Sequence, residues 1–388
     1  MNRLNNTETS EVVTWPSWPR YDQDHEDAVV RVIRSNQLFA ATEVAAFEDE
    51  FKDFVGSSHA VGVGNATQGL HLALAALGIG IGDEVIVTPY SWISSASCVL
   101  MQNAIPVFVD IEPESFGICP QELKKAITPR TKAVVLVHMF GLSAKAEEIQ
   151  NICSQHSIYL IEDGSHSHGA RLGEKHLGTF GKVGVFSLHQ RKAIAAGDGG
   201  IICTDDRNTY EKISRLRSFG DKQLSYNYRM TEFAAAIARI GLKRLEQENQ
   251  IRRRNHATLS GNLSDPRIRV VEATEMVHPV FYSNLLLIDL PFQAQEELVK
   301  AANLAGIPIR RTWQPLHKHP HFRRENMINY ITPWDNNRDD IIEPSSTRLC
   351  NSEIYQEKLL FELDCHPLVD EMAVVNAAEI LQRIAKSW

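Results

Sequence analysis

Val185-Phe186-Ser187-Leu188-His189-Gln190-Arg191-Lys192-Ala193-Ile194-Ala195-Ala196-Gly197-Asp198-Gly199-Gly200 closes a β-rich run at a hydroxyl residue, sets a lysine five positions beyond it, and turns through glycines toward another strand. A lysine ammonium group ordinarily stays in water. Between a strand end and a glycine turn it is held in a pocket, where desolvation and neighbouring cations favour the neutral, nucleophilic amine. Such an amine forms Schiff bases with carbonyl compounds, which makes Lys192 the candidate at the centre of any chemistry.

On either side of this string, from about residue 60 to 205, short β-rich runs alternate with helical patterns, the signature of parallel strands joined by helical crossovers. The predicted strands are Ala60–Val63, Glu84–Thr88, Pro106–Val109, Ala133–Val137, Ser157–Ile161, Val183–Ser187 and Gly200–Thr204. Several are apolar on both alternating faces and are expected at the centre of a sheet covered by helices on each side. Thr231 to Ile240 (TEFAAAIARI) reads as a helix whose alanines allow close approach to a neighbour, and the charged stretch from Lys243 to Arg254 as its solvated continuation. The GNLSDP segment at 261–266 breaks that helix. Tyr282 to Leu290, helical Ala294 to Ala305 and a final helix from Glu371 to Ala385 then suggest a smaller α+β unit. The expected division is an N-terminal arm over 1–26, a large domain over 27–260 and a small C-terminal domain over 261–388.

Composition narrows the function classes. The 388 residues carry 40 basic and 48 acidic side chains, a formal net charge of −8, so electrostatics offers no case for a nucleic-acid partner. The Arg252-Arg253-Arg254 cluster reads as a charged helix face. No apolar run approaches the about 20 residues of a membrane span, and MNRLNNTETS lacks the apolar stretch of a signal peptide, so no membrane association and a cytoplasmic location are expected. The six cysteines are scattered without metal or redox spacing and are expected as buried free thiols.

Gly64-Asn65-Ala66-Thr67-Gln68-Gly69 follows a strand and opens a helix, where unpaired N–H groups and the helix dipole favour an anion such as phosphate. A purely conformational tight turn explains the same residues. Glu162-Asp163 closes another predicted strand, at the edge where open α/β sheets bind ligands, poised for a cation, and a helix cap or a metal ligand explains a strand-end carboxylate equally well. His166 and His168 lack a third ligand at recognisable spacing, and no metal site is expected.

Taken together, these strings resemble the sugar and cyclitol aminotransferases dependent on pyridoxal phosphate, the DegT/DnrJ/EryC1/StrS type. The resemblance runs over most of the chain, on GNATQGLHLAL at 64–74, GDEVIVTPYSWISSAS at 82–97, VHMFG at 137–141, EDGSHSHGA at 162–170, FSLHQRKAIAAGDGG at 186–200 and YNYRMTEFAAAI at 226–237. It implies an α/β fold of the type I, aspartate-aminotransferase-like class, with a large mixed, mostly parallel sheet domain and a smaller α+β C-terminal domain. It also implies pyridoxal 5'-phosphate as cofactor and a homodimer with shared active sites.

Residue by residue, the resemblance makes Lys192 the Schiff-base lysine and proton shuttle, and Asp163 the partner that keeps the pyridinium nitrogen protonated. Trp92 matches the aromatic that stacks on the ring. The phosphate is expected on the backbone N–H groups of Thr67 and Gln68 and the hydroxyl of Ser187, with Asn227 reaching it from the neighbouring subunit. Most relatives carry glutamine where this chain has His166. The branch resembling cyclitol aminotransferases and 3-amino-5-hydroxybenzoate synthases can place histidine there, and its expected contact is the ring or its 3′-oxygen.

The implied activity moves an amino group from glutamate or glutamine to a keto-sugar or keto-cyclitol. Arg229, Arg310, Arg311, His317 and His319 are candidates for substrate contacts, with Trp313 as a further stacking group. Arg310, Arg311 or the arginine pair at 323–324 suit the diphosphate of a nucleotide-linked sugar. A dehydratase resembling 3-amino-5-hydroxybenzoate synthase, using the same lysine, is the alternative within enzymes. A catalytically silent partner subunit is the alternative outside them, and an intact Lys192, Asp163 and Ser187 set argues against it.

Overall fold

The computed structural model describes residues 12–219, 224–323, 347–355, 359–364 and 366–388. Seven strands form the main sheet, in the order His59–Val63, Gly200–Thr204, Val183–Ser187, Tyr159–Asp163, Thr131–Val137, Glu84–Val87, Ile105–Phe108. All pair in parallel except Gly200–Thr204, which runs antiparallel to both of its neighbours. That reversal follows from the lysine string. Its two flanking strands lie side by side as a hairpin, with no crossover helix between them.

Alternation along the central strands explains the helix layers. Val85, Val87, Val135, Val137 and Ile161 enter one apolar cluster, while Ile86, Val134, Leu136 and Leu160 enter another on the opposite face. The strand expected over Ser157–Ile161 lies two residues further on, at Tyr159–Asp163, so Glu162 and Asp163 are its last two residues. Gly200 fixes the spacing between two key loops. A β-carbon there would come 2.7 Å from the Asn65 carbonyl carbon and 2.8 Å from the Ala66 nitrogen, so only glycine lets the lysine hairpin press against the turn that opens helix Ala66–Ala76.

The helix beginning TEFAAAIARI runs from Glu232 to Asn262 and is capped by Thr231, whose side chain accepts from the Ala234 N–H. Its charged continuation is not wholly solvated. Leu245, Asn249 and Arg252 are buried, Leu245 among Phe47, Phe51 and Phe186, Asn249 with its Nδ2 donating to the His168 carbonyl at 2.9 Å, and Arg252 against Trp18. Arg252 is therefore not a surface cation. Its Nη1 donates to Asn249 Oδ1 at 2.9 Å and its guanidinium covers the Trp18 ring at 5.2 Å, while burial pushes its pKa down to about 10. The cysteine expectation also needs correction. Cys98, Cys153 and Cys203 are buried, but Cys350 is exposed and Cys119 is intermediate, and Cys365 lies outside the described residues.

A second, antiparallel sheet follows in the order Ile268–Val270, Asn284–Ile288, Leu360–Leu363, Ile309–Arg311. Helices Phe292–Leu304 and Glu371–Lys386 cover one face, against Leu286, Ile288, Ile309, Phe361 and Leu363. Leu285 and Leu360, on the other face, join the apolar cluster of the main sheet. The arm ties the two parts together. Val13 N–H donates to the Ala305 carbonyl, Trp15 Nε1 to the Asp364 carbonyl at 2.8 Å, and Trp18 Nε1 to the Lys192 carbonyl at 3.2 Å. Among the described residues no helix is long and apolar enough to cross a membrane.

Candidate active site

The lysine loop is built by its own backbone. Leu188 N–H donates to Gly199, Gln190 N–H to Gly197 and Ala196 N–H to Leu188, and Lys192 N–H closes a turn on His189 at 2.7 Å. Half-buried Lys192 is thereby carried to the ring of Tyr282, with Nζ 4.9 Å from its centroid. Burial pushes the Lys192 pKa down to about 8, against the carboxylates of Asp163 and Glu362, which favour the charged form. The ordinary value is 10.5. Because the folded amine loses its proton near 8, cofactor uptake by the apoprotein should accelerate as pH rises through about 8 and level off beyond it. Stopped-flow absorbance of the loading step measures this, and a rate still climbing near pH 10 contradicts it.

Asp163 is 5% exposed at the end of its strand. Oδ2 accepts from the Ser95 hydroxyl at 2.7 Å and Oδ1 from the Ser165 N–H at 3.1 Å. Ser95 is held in turn by Ser91 at 2.7 Å. Two donors orient the carboxylate where a cation can meet it. The sequence reading missed Ser95 and Tyr282. Ser95 sits inside the quoted SWISSAS string, while Tyr282 comes from a part of the chain where only a strand was expected.

His166 stacks on Tyr282, 4.1 Å between centroids and 8° from parallel, and Trp313 lies 6.0 Å away. Its Nδ1 accepts from the Phe140 N–H at 3.3 Å. Burial holds its pKa well below the ordinary range, with the Lys192 charge acting in the same direction. A neutral ring that accepts at Nδ1 carries its proton on Nε2, so His166 is a donor. Trp92 is 58% exposed and packs edge-on against Trp313 at 5.9 Å, so it stands at the opening of the site.

At the phosphate turn, Asn65 caps helix Ala66–Ala76 by accepting the Gln68 N–H at 3.0 Å. This corrects one expectation, because the Gln68 amide is spent on the cap. Of the two predicted amides, Thr67 N–H is the one among the helix's orphan donors. The Thr67 hydroxyl bonds Ser94 at 2.7 Å, and Gln68 Oε1 is buried without a partner among the described residues. Ser187 Oγ, at the end of its strand, accepts the His189 N–H at 3.2 Å.

The outer candidates separate. Asn227 is exposed, its Oδ1 accepting from Arg229 Nε at 3.0 Å, and the Arg229 guanidinium covers Phe39 and Phe219 at 4.6 and 5.4 Å. Arg311 is turned away from the lysine. It donates to Gln295 and Glu296 at 2.9 and 3.0 Å and packs over Phe361 and Phe292, because strand alternation puts it on the helix-covered face. His317 is fully buried with Nε2 at 3.0 Å from Glu353, a packing position rather than a substrate contact. His319 and His321 are outward, with their Nδ1 atoms 3.0 Å apart. Arg324 lies outside the described residues. Among the described residues no three His, Cys, Asp or Glu side chains gather as a metal site.

A depressed lysine amine, a fixed carboxylate, a neutral histidine donor and a helix N-terminus beside a serine hydroxyl fit a phosphorylated aldehyde on a basic heteroaromatic ring. Comparison with known proteins agrees. The model of the DegT/DnrJ/EryC1/StrS aminotransferase family matches residues 19–354. Relatives include an L-glutamine:2-deoxy-scyllo-inosose aminotransferase of Streptomyces kanamyceticus, 32% identical over 336 residues and covering 79% of each chain. A GDP-perosamine synthase of Caulobacter vibrioides is 31% identical over 318 residues, 78% of this chain and 85% of that one. Among solved structures, 3-amino-5-hydroxybenzoic acid synthase superposes with a TM-score of 0.85 at 27% identity, covering 97% of this chain and 99% of the other.

Proposed function

The chain belongs to the DegT/DnrJ/EryC1/StrS aminotransferase family, and from that premise we propose that it moves an amino group from glutamine or glutamate to the ketone of a cyclitol, with Lys192 and Asp163 as its catalytic pair. It is an aminotransferase dependent on pyridoxal phosphate, of the kind that serves sugar and cyclitol biosynthesis. The observation that carries the reading is that the Lys192 amine, 4.9 Å from the Tyr282 ring, lies within the field of the buried, serine-held carboxylate of Asp163.

Pyridoxal phosphate supplies, when bound, an aldehyde that accepts amino groups and a ring that withdraws electrons. The chain's own residues do the rest. Asp163 would hold a proton at the ring nitrogen, and the Lys192 amine would hold the aldehyde and carry the proton moved at the substrate carbon. His166 Nε2 would donate to the ring's oxygen, Trp92 and Trp313 would shield its face from water, and the Thr67 N–H with the Ser187 hydroxyl would hold the phosphate. The cyclitol assignment rests on His166 and on relatives named for 2-deoxy-scyllo-inosose at 31–32% identity. Charging the enzyme with glutamine and then offering 2-deoxy-scyllo-inosose should restore the starting absorbance. Discharge only by a nucleotide-linked ketosugar sinks the cyclitol assignment, and an aromatic product without amino transfer supports the dehydratase instead.

The site is completed by a second subunit. Asn227 lies beside solvent-facing Phe39 and Phe219, 58% and 63% exposed, an apolar rim suited to a partner. Its own segment runs along Val63 and Gly64 at the entrance to the phosphate turn. Lys192→Ala and Asn227→Ala proteins, each inactive, should recover roughly a quarter of wild-type activity when mixed equally, because half of the dimers are hybrids with one intact site. No recovery after verified subunit exchange contradicts sharing.

A further inference from the structure

Two tyrosines bracket the asparagine offered to the second subunit. Tyr226 and Tyr228 are half-buried on one side of an extended segment, and Asn227 stands exposed on the other. The tyrosine rings stack, 4.9 Å between centroids and 10° from parallel, and both pack against His71, at 4.8 and 5.8 Å. His71 belongs to helix Ala66–Ala76, which opens at the phosphate turn, and is 4% exposed. Its two nitrogens serve the two tyrosines. Nδ1 is 3.1 Å from Tyr228 Oη, while Nε2 meets the side-chain amide of Gln102, which also donates to Tyr226 Oη at 3.2 Å. An amide nitrogen only donates, so His71 Nε2 accepts, and the proton of the neutral ring sits on Nδ1 and is shared with Tyr228. Burial, which pushes the His71 pKa down to about 4, keeps the ring neutral.

What these four side chains hold in common is the Asn227 segment. Its backbone is anchored as well: the Tyr226 and Tyr228 N–H groups donate to Leu216 and Arg217 at 2.8 and 2.9 Å, and the Gly64 N–H donates to Tyr228 at 2.9 Å. Those bonds set the register of the segment and leave it free to turn about its own axis. Two ring hydroxyls tied to one buried imidazole remove that rotation. A short amide side chain that has to meet a phosphate in another subunit needs such a hold, because hydrogen bonds weaken steeply once their angle or distance is off.

We infer that His71 is the positioning residue for the contact Asn227 makes in the neighbouring subunit's site, acting on Tyr228 directly and on Tyr226 through Gln102. The inference rests on the shared-site reading, and its test separates the two. Apoenzyme is titrated with pyridoxal phosphate and with pyridoxal, which lacks the phosphate, while the imine absorbance is followed. Tyr228→Phe removes one hydroxyl and keeps the stacked ring. It should weaken pyridoxal phosphate about 3- to 10-fold, the worth of one neutral hydrogen bond, and leave pyridoxal unchanged. His71→Phe should do the same, and the double variant should be no weaker than His71→Phe alone, because both break one link. His71→Asn, whose amide takes the place of the Nδ1 edge, should restore most of the affinity.

Subunit mixing locates the defect, with activity titrated against pyridoxal phosphate. In an equal mixture of His71→Phe and Lys192→Ala chains, half of the working sites should load with wild-type affinity, since in hybrid dimers the surviving Lys192 meets an Asn227 segment whose His71 is intact. In a mixture of wild type with the Lys192→Ala/His71→Phe double variant, half of the working sites should load weakly. Should His71→Phe fail to fold, Tyr228→Phe carries the same mixtures. Weak loading of every working site in the first mixture and of none in the second places the defect in the histidine's own phosphate turn and overturns the inference. Equal losses for pyridoxal and pyridoxal phosphate, or unchanged affinity in folded His71→Phe and Tyr228→Phe, overturn it too. Asn227→Ala decides the premise: if it loads as tightly as wild type, the shared-site reading falls and takes the inference with it.

Discussion

Lys192→Ala should lower turnover by a factor of at least about 10⁴, since a positioned proton-transfer group alone contributes about 10²–10⁴ and this amine is also the nucleophile. The loss should be confined to chemistry. The Lys192 backbone is fixed by hairpin bonds and by Trp18, none of which uses the side chain, so the thermal midpoint should stay close to wild type or rise as a buried amine is removed. Lys192→Arg should not rescue activity, because a guanidinium stays protonated and is no nucleophile at any working pH. Single-turnover absorbance with glutamine measures the effect, and a Lys192→Ala protein within tenfold of wild type contradicts the assignment.

Asp163→Ala should be the second largest effect, roughly 10²–10³ in kcat together with weaker cofactor binding. An opposite charge at contact distance moves a neighbour's pKa by about 1–3 units, so its removal leaves the ring nitrogen largely unprotonated and the ring a poor electron sink. Ser95→Ala should act in the same direction and more weakly, since it removes one of two donors to the carboxylate. The pH dependence of the bound cofactor's absorbance separates this account from a packing defect. Asp163→Ala should shift that titration, whereas a defect of packing alone lowers occupancy without shifting it.

Much of the fold and the centre of the site is legible in the sequence, for a physical reason. A strand buried on both faces must be apolar throughout, and a lysine that leaves water must be framed by residues that build its pocket, so both mark the chain locally. The edges of the reading fail where the deciding partner is remote. Arg252 sits in a charged string that reads as a helix surface, yet Trp18, 234 positions earlier, covers it. Arg310 and Arg311 look equivalent in sequence. Only the pairing of their strand with Leu360–Leu363 shows that one lies against Glu362 and the other on the helix-covered face. Gln68 shows a subtler limit, since a turn that offers amides to an anion also needs a cap, and Asn65 takes one of them.

The most direct test of the central claim is chemical. The purified enzyme is reduced with borohydride, digested, and its peptides are mapped by mass spectrometry. The account predicts a single pyridoxyl-phosphate adduct on the peptide carrying Lys192, absent when the enzyme is first charged with glutamine. An adduct on another lysine, or one that charging does not prevent, contradicts it.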